Sequence, residues 1–203
     1  MAGWLPVILG GGLLAAALTV GSTGGGPVGS SSEERKRLWS MTAAIEASGA
    51  LPGFQKFADA KGYWESRYVP TAARGTSTYG WLQLAPTSAF TKGNDLVGTS
   101  GQASKLRTRE WHLPLAADYY ARGIRAAQRK GRTPDMLAMA RWWKYPELIH
   151  DVDEDNPISV GIRERFAKAL KATGHSSSFM HQPAMLGNYT NVQDNLARFG
   201  VSA

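Results

Sequence analysis

A single glutamate in an aromatic-rich stretch is the residue of this sequence best suited to chemistry. Glu65 follows Trp64 near the expected end of a short helix, and Tyr79 and Trp81 come soon after a turn of small residues at 75–78. Aromatic rings exclude water from a carboxyl group and disfavour its ionised form. A carboxyl in such surroundings can stay protonated near neutral pH and act as a proton donor.

Gly80 and Gln83 follow that turn and are typical of a segment that lines a cleft. Glycine adopts backbone conformations that other residues avoid, and the glutamine amide both donates and accepts hydrogen bonds. On local chemistry alone, a helical glutamate such as Glu65 is usually a solvated surface residue. The spacing of its neighbours is a more specific indication.

The residues from Glu65 to Thr87 are arranged in a distinctive order. It consists of the pair Glu65-Ser66, an aromatic residue and a proline, the small-residue turn, and Gly-x-x-Gln-x-x-Pro-Thr at 80–87. This order resembles the signature of the soluble lytic transglycosylase family, whose domain is similar to goose-type lysozyme. The resemblance implies a peptidoglycan-cleaving enzyme with Glu65 as the catalytic residue. It also implies substrate-binding roles for Ser66, Tyr79, Gly80 and Gln83.

A third motif of that family is altered here. Its usual Ala-Tyr-Asn-Ala-Gly is replaced by Ala-Arg-Trp-Trp-Lys at residues 140–144. The indole of Trp142 or Trp143 can stack on a sugar ring as the family's tyrosine does, although aromatic residues at helical spacing more often belong to the core. We assign Trp142 to substrate binding. The departure concerns the positioning of the glycan rather than the catalytic acid.

The motif region contains only one carboxyl, whereas hydrolytic glycosidases generally place two carboxyls roughly 5 to 9.5 Å apart. Asp59 is expected on a different face of the helix that carries Glu65, and the sequence does not place Asp95 or Glu110. The resemblance implies that the substrate supplies the second group. Glu65 then cleaves the bond between N-acetylmuramic acid (MurNAc) and N-acetylglucosamine (GlcNAc) and forms 1,6-anhydro-MurNAc. No cofactor is expected.

Helical patterns dominate the chain beyond residue 32, and strand alternation is scarce. We therefore predict a mainly α fold, which the resemblance specifies as a lysozyme-like transglycosylase domain over residues 33–203. Ser31 and Glu34 form a capping-box pattern at the start of a first helix at 33–48. Further helices are predicted from Pro114, after Thr133-Pro134-Asp135, at 159–172 and at 192–199.

The N-terminus is predicted to anchor the protein in a membrane or a particle. Residues 1–22 form a hydrophobic segment in which 4–20 carry no charge. These 17 residues are at the lower limit for spanning a bilayer, and no basic residue precedes them as in a secretory signal. An uncleaved anchor is favoured over an export segment or a buried helix. Residues 23–32 are rich in Gly and Ser and predict a flexible linker.

The chain has a formal net charge of +7 and no cysteine. The lack of cysteine excludes disulfides, thiolate metal sites and cysteine nucleophiles. A basic surface attracts polyanions such as cell-wall polymers, but no tract is dense enough for a nucleic-acid arm, so we expect no specific nucleic acid partner. We also expect no metal site. The four histidines are scattered, and the acidic loop at 151–155 lacks the glycine and terminal glutamate of an EF-hand.

Three functions are compatible with these features. The first is an active lytic transglycosylase that is carried in a phage particle with other virion proteins and opens the host cell wall during genome entry. The short domain, the missing basic export signal and the intact Met1 favour it. The second is a bacterial envelope enzyme in the inner membrane, either a transglycosylase or a hydrolytic lysozyme. The third is an inactive virion protein that binds glycan or has a structural role.

Overall fold

Helices account for nearly all regular structure in the part of the protein that the structure describes. The computed structural model describes residues 31–47, 51–69, 77–96, 102–150 and 156–201. Within these ranges the extended backbone forms two isolated bridges, Tyr79 with Leu84 and Asp135 with Pro183, and no strand. The mainly α class predicted from the sequence is therefore confirmed.

The described residues form eight α-helices and three short 3-10 helices. The α-helices are α1 (Ser31–Ala47), α2 (Phe54–Ser66), α3 (Pro86–Ala89), α4 (Gln102–Lys105), α5 (Arg109–Gln128), α6 (Met136–Lys144), α7 (Pro157–Ala172) and α8 (Val192–Arg198). The 3-10 helices cover Lys92–Asn94, Pro146–His150 and Ser177–His181.

Phe57 in α2 lies at the centre of the core. Its ring centroid is 4.9 Å from that of Tyr120 in α5, 5.7 Å from that of Trp143 in α6 and 5.8 Å from that of Phe166 in α7. All four side chains are buried. Tilted rings at these separations attract one another, and their burial also removes apolar area from water. One side chain thus packs α2 against three other helices.

Helix α5 is buried along most of its length and packs against α3, α6 and α8. The helix begins at Arg109, so the prediction that it starts at Pro114 was wrong, and the proline lies inside it. A proline inside a helix removes one backbone hydrogen bond. Complete burial of the neighbouring Leu113 and Leu115 compensates for this loss, because packing rather than propensity decides helix formation in a core.

The first helix differs from its prediction at the N-terminal end. Helix α1 begins at Ser31, so the last two residues of the predicted linker 23–32 are helical. The capping-box prediction was wrong. The Glu34 carboxylate is completely buried and accepts hydrogen bonds from Arg109 and Trp81 instead of turning back to the helix start. Tertiary partners therefore replace a local cap.

Aspartate and asparagine side chains cap three later helices. Asp135, the last residue of the predicted helix start Thr133-Pro134-Asp135, accepts a 2.7 Å hydrogen bond from the backbone N–H of Ala138 and caps α6. Asn156 and Asn191 cap α7 and α8 in the same way. Helices α7 and α8 lie within two residues of their predicted bounds, and α6 begins directly after Asp135 as predicted, because these caps fix the first turns.

Three predicted segments lie wholly or mostly outside the described residues. They are the hydrophobic segment 1–22, residues 23–30 of the linker and the acidic loop 151–155. In the part of the chain that the structure describes, no helix is both long enough and apolar enough to cross a bilayer.

A completely buried carboxylate joins α2 to α1 and to the segment after α7. Asp59 accepts two hydrogen bonds from the Arg35 guanidinium, at 2.9 and 2.7 Å. His175 Nε2 and the Tyr68 hydroxyl each lie 2.9 Å from its oxygens. A buried charge without such partners is strongly unfavourable, so this cluster is required for α2 to pack as it does.

We expect Asp59→Asn to lower the free energy of unfolding by about 3 to 5 kcal/mol, because an amide cannot balance the Arg35 charge. The matched control is Asp95→Asn, since Asp95 is exposed and asparagine tolerates its left-handed backbone. The control should change stability by less than about 0.5 kcal/mol. Urea denaturation of both variants measures the difference, and equal effects would contradict the assigned role.

Candidate active site

The C-terminal end of α2 carries Glu65 and Ser66, and the chain turns sharply after them. Arg67 and Tyr68 adopt left-handed backbone conformations with φ of 52° and 65°. Such conformations cost roughly 1 to 2 kcal/mol for a residue other than glycine. The buried Tyr68 ring offsets that strain, because its hydroxyl donates a 2.9 Å hydrogen bond to Asp59 in the same helix. The position of Glu65 is thereby tied to the core.

The loop of residues 79–84 lies beside this helix end. Ser66 Oγ donates a 2.7 Å hydrogen bond to the backbone oxygen of Trp81. Tyr79 and Leu84 close the loop through two backbone hydrogen bonds of 3.1 and 2.9 Å. The two motif segments predicted to line one cleft are therefore in direct contact.

Gly80 and His112 support the loop from the interior. Gly80 has a φ of 75°, and a Cβ atom placed on it would lie 2.3 Å from His112 Nδ1. His112 Nε2 accepts a 3.1 Å hydrogen bond from the backbone N–H of Leu82. Burial lowers the pKa of His112 to about 3, so the ring is neutral and can accept this bond. Gly80 thus has a clear structural role, and its predicted contact with substrate stays a prediction.

Gln83 uses both ends of its amide inside the same loop. Its Oε1 accepts a 3.0 Å hydrogen bond from Thr78 Oγ1, and its Nε2 donates a 2.7 Å hydrogen bond to the Gly80 oxygen. A sugar can bind this amide only by sharing or replacing these bonds. Tyr79 is partly exposed, with the Arg107 guanidinium 5.3 Å from its ring centre. The substrate-binding roles of Gln83, Tyr79 and Ser66 stay predictions.

Lys61, one turn before Glu65 in α2, makes the closest contact of the Glu65 carboxylate. Lys61 Nζ lies 2.6 Å from Oε1, and Lys144 Nζ from α6 lies 3.9 Å from Oε2. The Lys61 side chain is completely buried, and the Glu65 side chain is 10% exposed. Among the described residues, no other group donates a hydrogen bond to Glu65. One carboxylate oxygen is therefore tightly held, while the other faces a half-exposed lysine.

The interpretation that Glu65 can stay protonated near neutral pH was wrong. Burial alone raises the pKa of Glu65, but the positive charges of Lys61, Lys144 and Arg165 lower that pKa by more. Burial also lowers the pKa of Lys61, against the attraction of Glu65, because an ammonium group without water is unfavourable. The resting state is therefore an ion pair in which each charge stabilises the other.

The aromatic side chains beside this ion pair differ in part from those predicted. Lys61 Nζ lies 3.9 Å from the ring centre of Trp64 and 6.0 Å from that of Trp143. Trp81, in contrast, is almost completely buried, and its indole N–H donates a 3.1 Å hydrogen bond to Glu34. Trp81 therefore belongs to the core and does not form a cleft wall.

Of the two tryptophans in the altered third motif, Trp143 adjoins the site. Its indole N–H donates a 2.9 Å hydrogen bond to the backbone oxygen of Leu82, which joins α6 to the 79–84 loop. Trp142 packs over Gly123 and donates a 3.1 Å hydrogen bond to the backbone oxygen of Tyr119, both in α5. Trp142 thus has a packing role, and its predicted contact with a sugar stays a prediction.

The other carboxylates considered from the sequence do not lie beside Glu65. Asp59 faces α1 through Arg35, so the expectation of a different helix face is confirmed. Asp95 is exposed after the 3-10 helix Lys92–Asn94, and Glu110 lies in the first turn of α5. Within the described ranges, no three His, Asp or Glu side chains are grouped closely enough to hold a metal ion.

Comparison with known proteins finds no significant relative of this chain. No model of a known family matches the sequence, and no curated protein or solved structure is similar to the chain at a significant level. The features of the described residues that bear on function are therefore the motif residues and the geometry around Glu65.

We expect Gly80→Ala to lower the free energy of unfolding by about 3 kcal/mol, because a Cβ atom at this positive φ also displaces the His112 ring. Gly131→Ala is the matched control, since Gly131 has a φ of 69° and nothing within 4 Å of the added atom. The control should cost about 1 kcal/mol. Urea denaturation compares the two, and equal costs would show that contact with His112 is unimportant.

The Glu65 carboxyl should titrate below pH 4.5, the pKa of a free glutamate side chain, because the neighbouring cations stabilise its ionised form. Lys144→Met should move that pKa upward, because Lys144 contributes to the lowering. Carbon-detected NMR of the labelled carboxyl measures both values as a function of pH. A wild-type pKa of Glu65 above 4.5 would contradict the ion pair with Lys61.

Proposed function

We propose that the protein is a peptidoglycan lytic transglycosylase with a lysozyme-like domain, in which Glu65 acts first as acid and then as base. The observation that carries the proposal is the hydrogen bond from Ser66 to Trp81, because it joins the Glu65-Ser66 pair to the Gly80–Gln83 segment. These are the two segments that resemble the family's motifs. The partial exposure of Glu65 supports the proposal further, since a buried carboxyl could not meet a glycan.

In the proposed reaction, Glu65 donates a proton to the oxygen between MurNAc and GlcNAc while the bond from that oxygen to C1 of MurNAc breaks. The N-acetyl group of the substrate stabilises the cationic C1. The Glu65 carboxylate then removes the proton of the MurNAc C6 hydroxyl, whose oxygen attacks C1 and closes the 1,6-anhydro ring. A second carboxylate and a water nucleophile are not required, and Asp59 is paired with Arg35 instead of facing Glu65.

The biological setting is part of the proposal. A net charge of +7 favours binding to an anionic wall polymer, and residues 4–20 are suited to an anchor. We propose a phage particle as the location, with other virion proteins as partners and local opening of the host wall during genome entry as the role. The bacterial inner membrane, with the active domain in the periplasm, is the alternative location.

A glycan-binding virion protein without catalytic activity is the second candidate function. It is favoured by the ion pair with Lys61, which lowers the pKa of Glu65 and removes the proton that an acid must carry. Under this function the protein would bind cell-wall glycan and release no product.

We expect Glu65→Gln to abolish cleavage of purified peptidoglycan sacculi, because an amide cannot donate and regain the proton. The variant should be less stable than the wild type but still folded, because the buried Lys61 loses its charge partner and can become a neutral amine. Glu164→Gln is the matched control, since Glu164 is exposed on α7, and it should retain wild-type activity. Release of soluble fragments measures the rate, and circular dichroism checks the fold.

Mass spectrometry of the released fragments separates the candidate functions. Anhydro-muropeptides are expected for a transglycosylase, whereas reducing ends would indicate a hydrolytic lysozyme. Sacculi that are bound but not cleaved by the wild-type protein would favour the second candidate. Undiminished cleavage by the Glu65→Gln variant would exclude Glu65 as the acid.

A further inference from the structure

The environment of Lys61 is unusual for a lysine. Its side chain has no exposed surface, and its ammonium group contacts one carboxylate oxygen, Glu65 Oε1, at 2.6 Å. The face of the Trp64 ring lies 3.9 Å from Nζ, and no other described residue accepts a hydrogen bond from it. A lysine on a helix surface would instead extend into water. Lys61 is thus isolated from solvent, and among the described residues only Glu65 connects its ammonium group to the exposed side of the site.

Such a pair exists in two forms that differ by the position of one proton. In the first, Lys61 is an ammonium and Glu65 a carboxylate. In the second, both groups are neutral, with an amine on Lys61 and a carboxylic acid on Glu65. Water strongly favours the first form, whereas removal from water reduces the preference for charge. Complete burial of Lys61 therefore makes the neutral form more accessible than it is for a surface pair.

We propose that Lys61 stores the proton that Glu65 delivers to the glycosidic oxygen, so that the two residues act as one acid and base. The inference rests on the proposed transglycosylase function and specifies how its acid works. Lys61 does not reach the substrate. It is a positioning residue, because it holds Glu65 Oε1 and leaves Oε2 toward the accessible side, where Lys144 is 42% exposed.

Over the proposed cycle the enzyme regains the proton that it donates. As Glu65 protonates the leaving oxygen, the Lys61 N–H bond breaks and its proton passes to the Glu65 carboxylate, which leaves a neutral amine. After C1 has separated from that oxygen, Glu65 takes the proton from the MurNAc C6 hydroxyl. That proton returns to the Lys61 amine when the anhydro ring is closed. The enzyme ends in the ion-paired state in which it began.

The other charges that face Glu65 are cationic. Lys144 on α6 and Arg165 on α7 both lower the pKa of Glu65, together with Lys61 on α2 itself. With these cations around it, Glu65 is ionised in the resting state, so the proton that it delivers must come from its pair with Lys61. A buried ammonium in direct hydrogen-bond contact supplies the missing proton without exchange with bulk water.

The test is the dependence of sacculus digestion on pH for the wild type and two variants. Lys61→Met removes the stored proton and leaves a neutral side chain of similar length. Lys61→Arg keeps the positive charge, but a guanidinium does not release a proton in proteins. Lys56→Met is the matched control, because Lys56 is an exposed lysine of the same helix. Circular dichroism and thermal denaturation check that each variant is folded.

Lys61→Met should raise the pKa of Glu65, because Lys61 contributes to its lowering. We expect this variant to be active in acid, where Glu65 carries its own proton, and to lose about a hundredfold in rate above that raised pKa. Lys61→Arg keeps the pKa of Glu65 low and should be slow at neutral pH, and Lys56→Met should match the wild type. A purely structural Lys61 would lower the rate by the same factor at every pH. That result, or wild-type activity of Lys61→Arg, would overturn the inference.

If the Lys61 variants do not fold, the inference can still be tested on the wild-type protein. The loss of wild-type activity at alkaline pH should coincide with deprotonation of Lys61, followed by NMR of its labelled Nζ. An ammonium that stays charged while activity is lost would overturn the proposal.

Failure of the proposed function has a different signature. In that case the wild type releases no anhydro-muropeptides, or Glu65→Gln remains active, and the storage of a proton by Lys61 is excluded together with the reaction. An active wild type with inactive Glu65→Gln and an unshifted Lys61→Met profile overturns the role of Lys61 alone.

Discussion

Helix α2 carries charged side chains into the interior, and the neighbouring structure is arranged to balance them. Asp59 and Lys61 have no exposed surface, and either charge alone would be strongly unfavourable in the core. Asp59 is balanced by Arg35 from α1, and Lys61 by Glu65 in α2 itself. Because these ion pairs require fixed distances, the packing of α1 on α2 and the orientation of the helix end follow from them.

The same requirement shapes the candidate active site. A carboxylate that balances a buried ammonium is ionised in the resting state, whereas a glycosidic acid must carry a proton. The position of that single proton between Lys61 and Glu65 connects the stability of the helix with the chemistry proposed for its end. Trp64 and Trp143 contribute by keeping water from Lys61, since the ammonium faces their rings.

Much of the helical framework could be predicted from periodicity and cap residues, and α7 and α8 match their expected ranges closely. The errors arose where tertiary contacts outweighed local patterns. Glu34 matches a capping box in sequence but pairs with Arg109, which is 75 residues away and invisible to any local rule. Pro114 resembles a helix start, yet burial of the residues around it extends α5 toward the N-terminus.

The candidate site was predicted only in part, again because tertiary contacts decide details that local patterns do not show. The motif places Glu65 and the 79–84 loop together, but it does not reveal which rings face the carboxyl, because Trp81 turns into the core. Lys61 could have been found from its spacing of four residues from Glu65, which is the spacing of helical ion pairs. Its complete burial, however, depends on α6 and could not be read from the sequence.

The turn after Glu65 has a further consequence for the precision of the site. The last turn of a helix normally frays, and a carboxylate placed there would sample many orientations. Here the hydroxyl of Tyr68 is bonded to Asp59 two turns earlier, so the end of α2 cannot unwind without breaking a buried network. The orientation of Glu65 is thus fixed by the fold itself. For the proposed glycan substrate, little conformational entropy would remain to be lost on binding, and this is the physical meaning of a preorganised site.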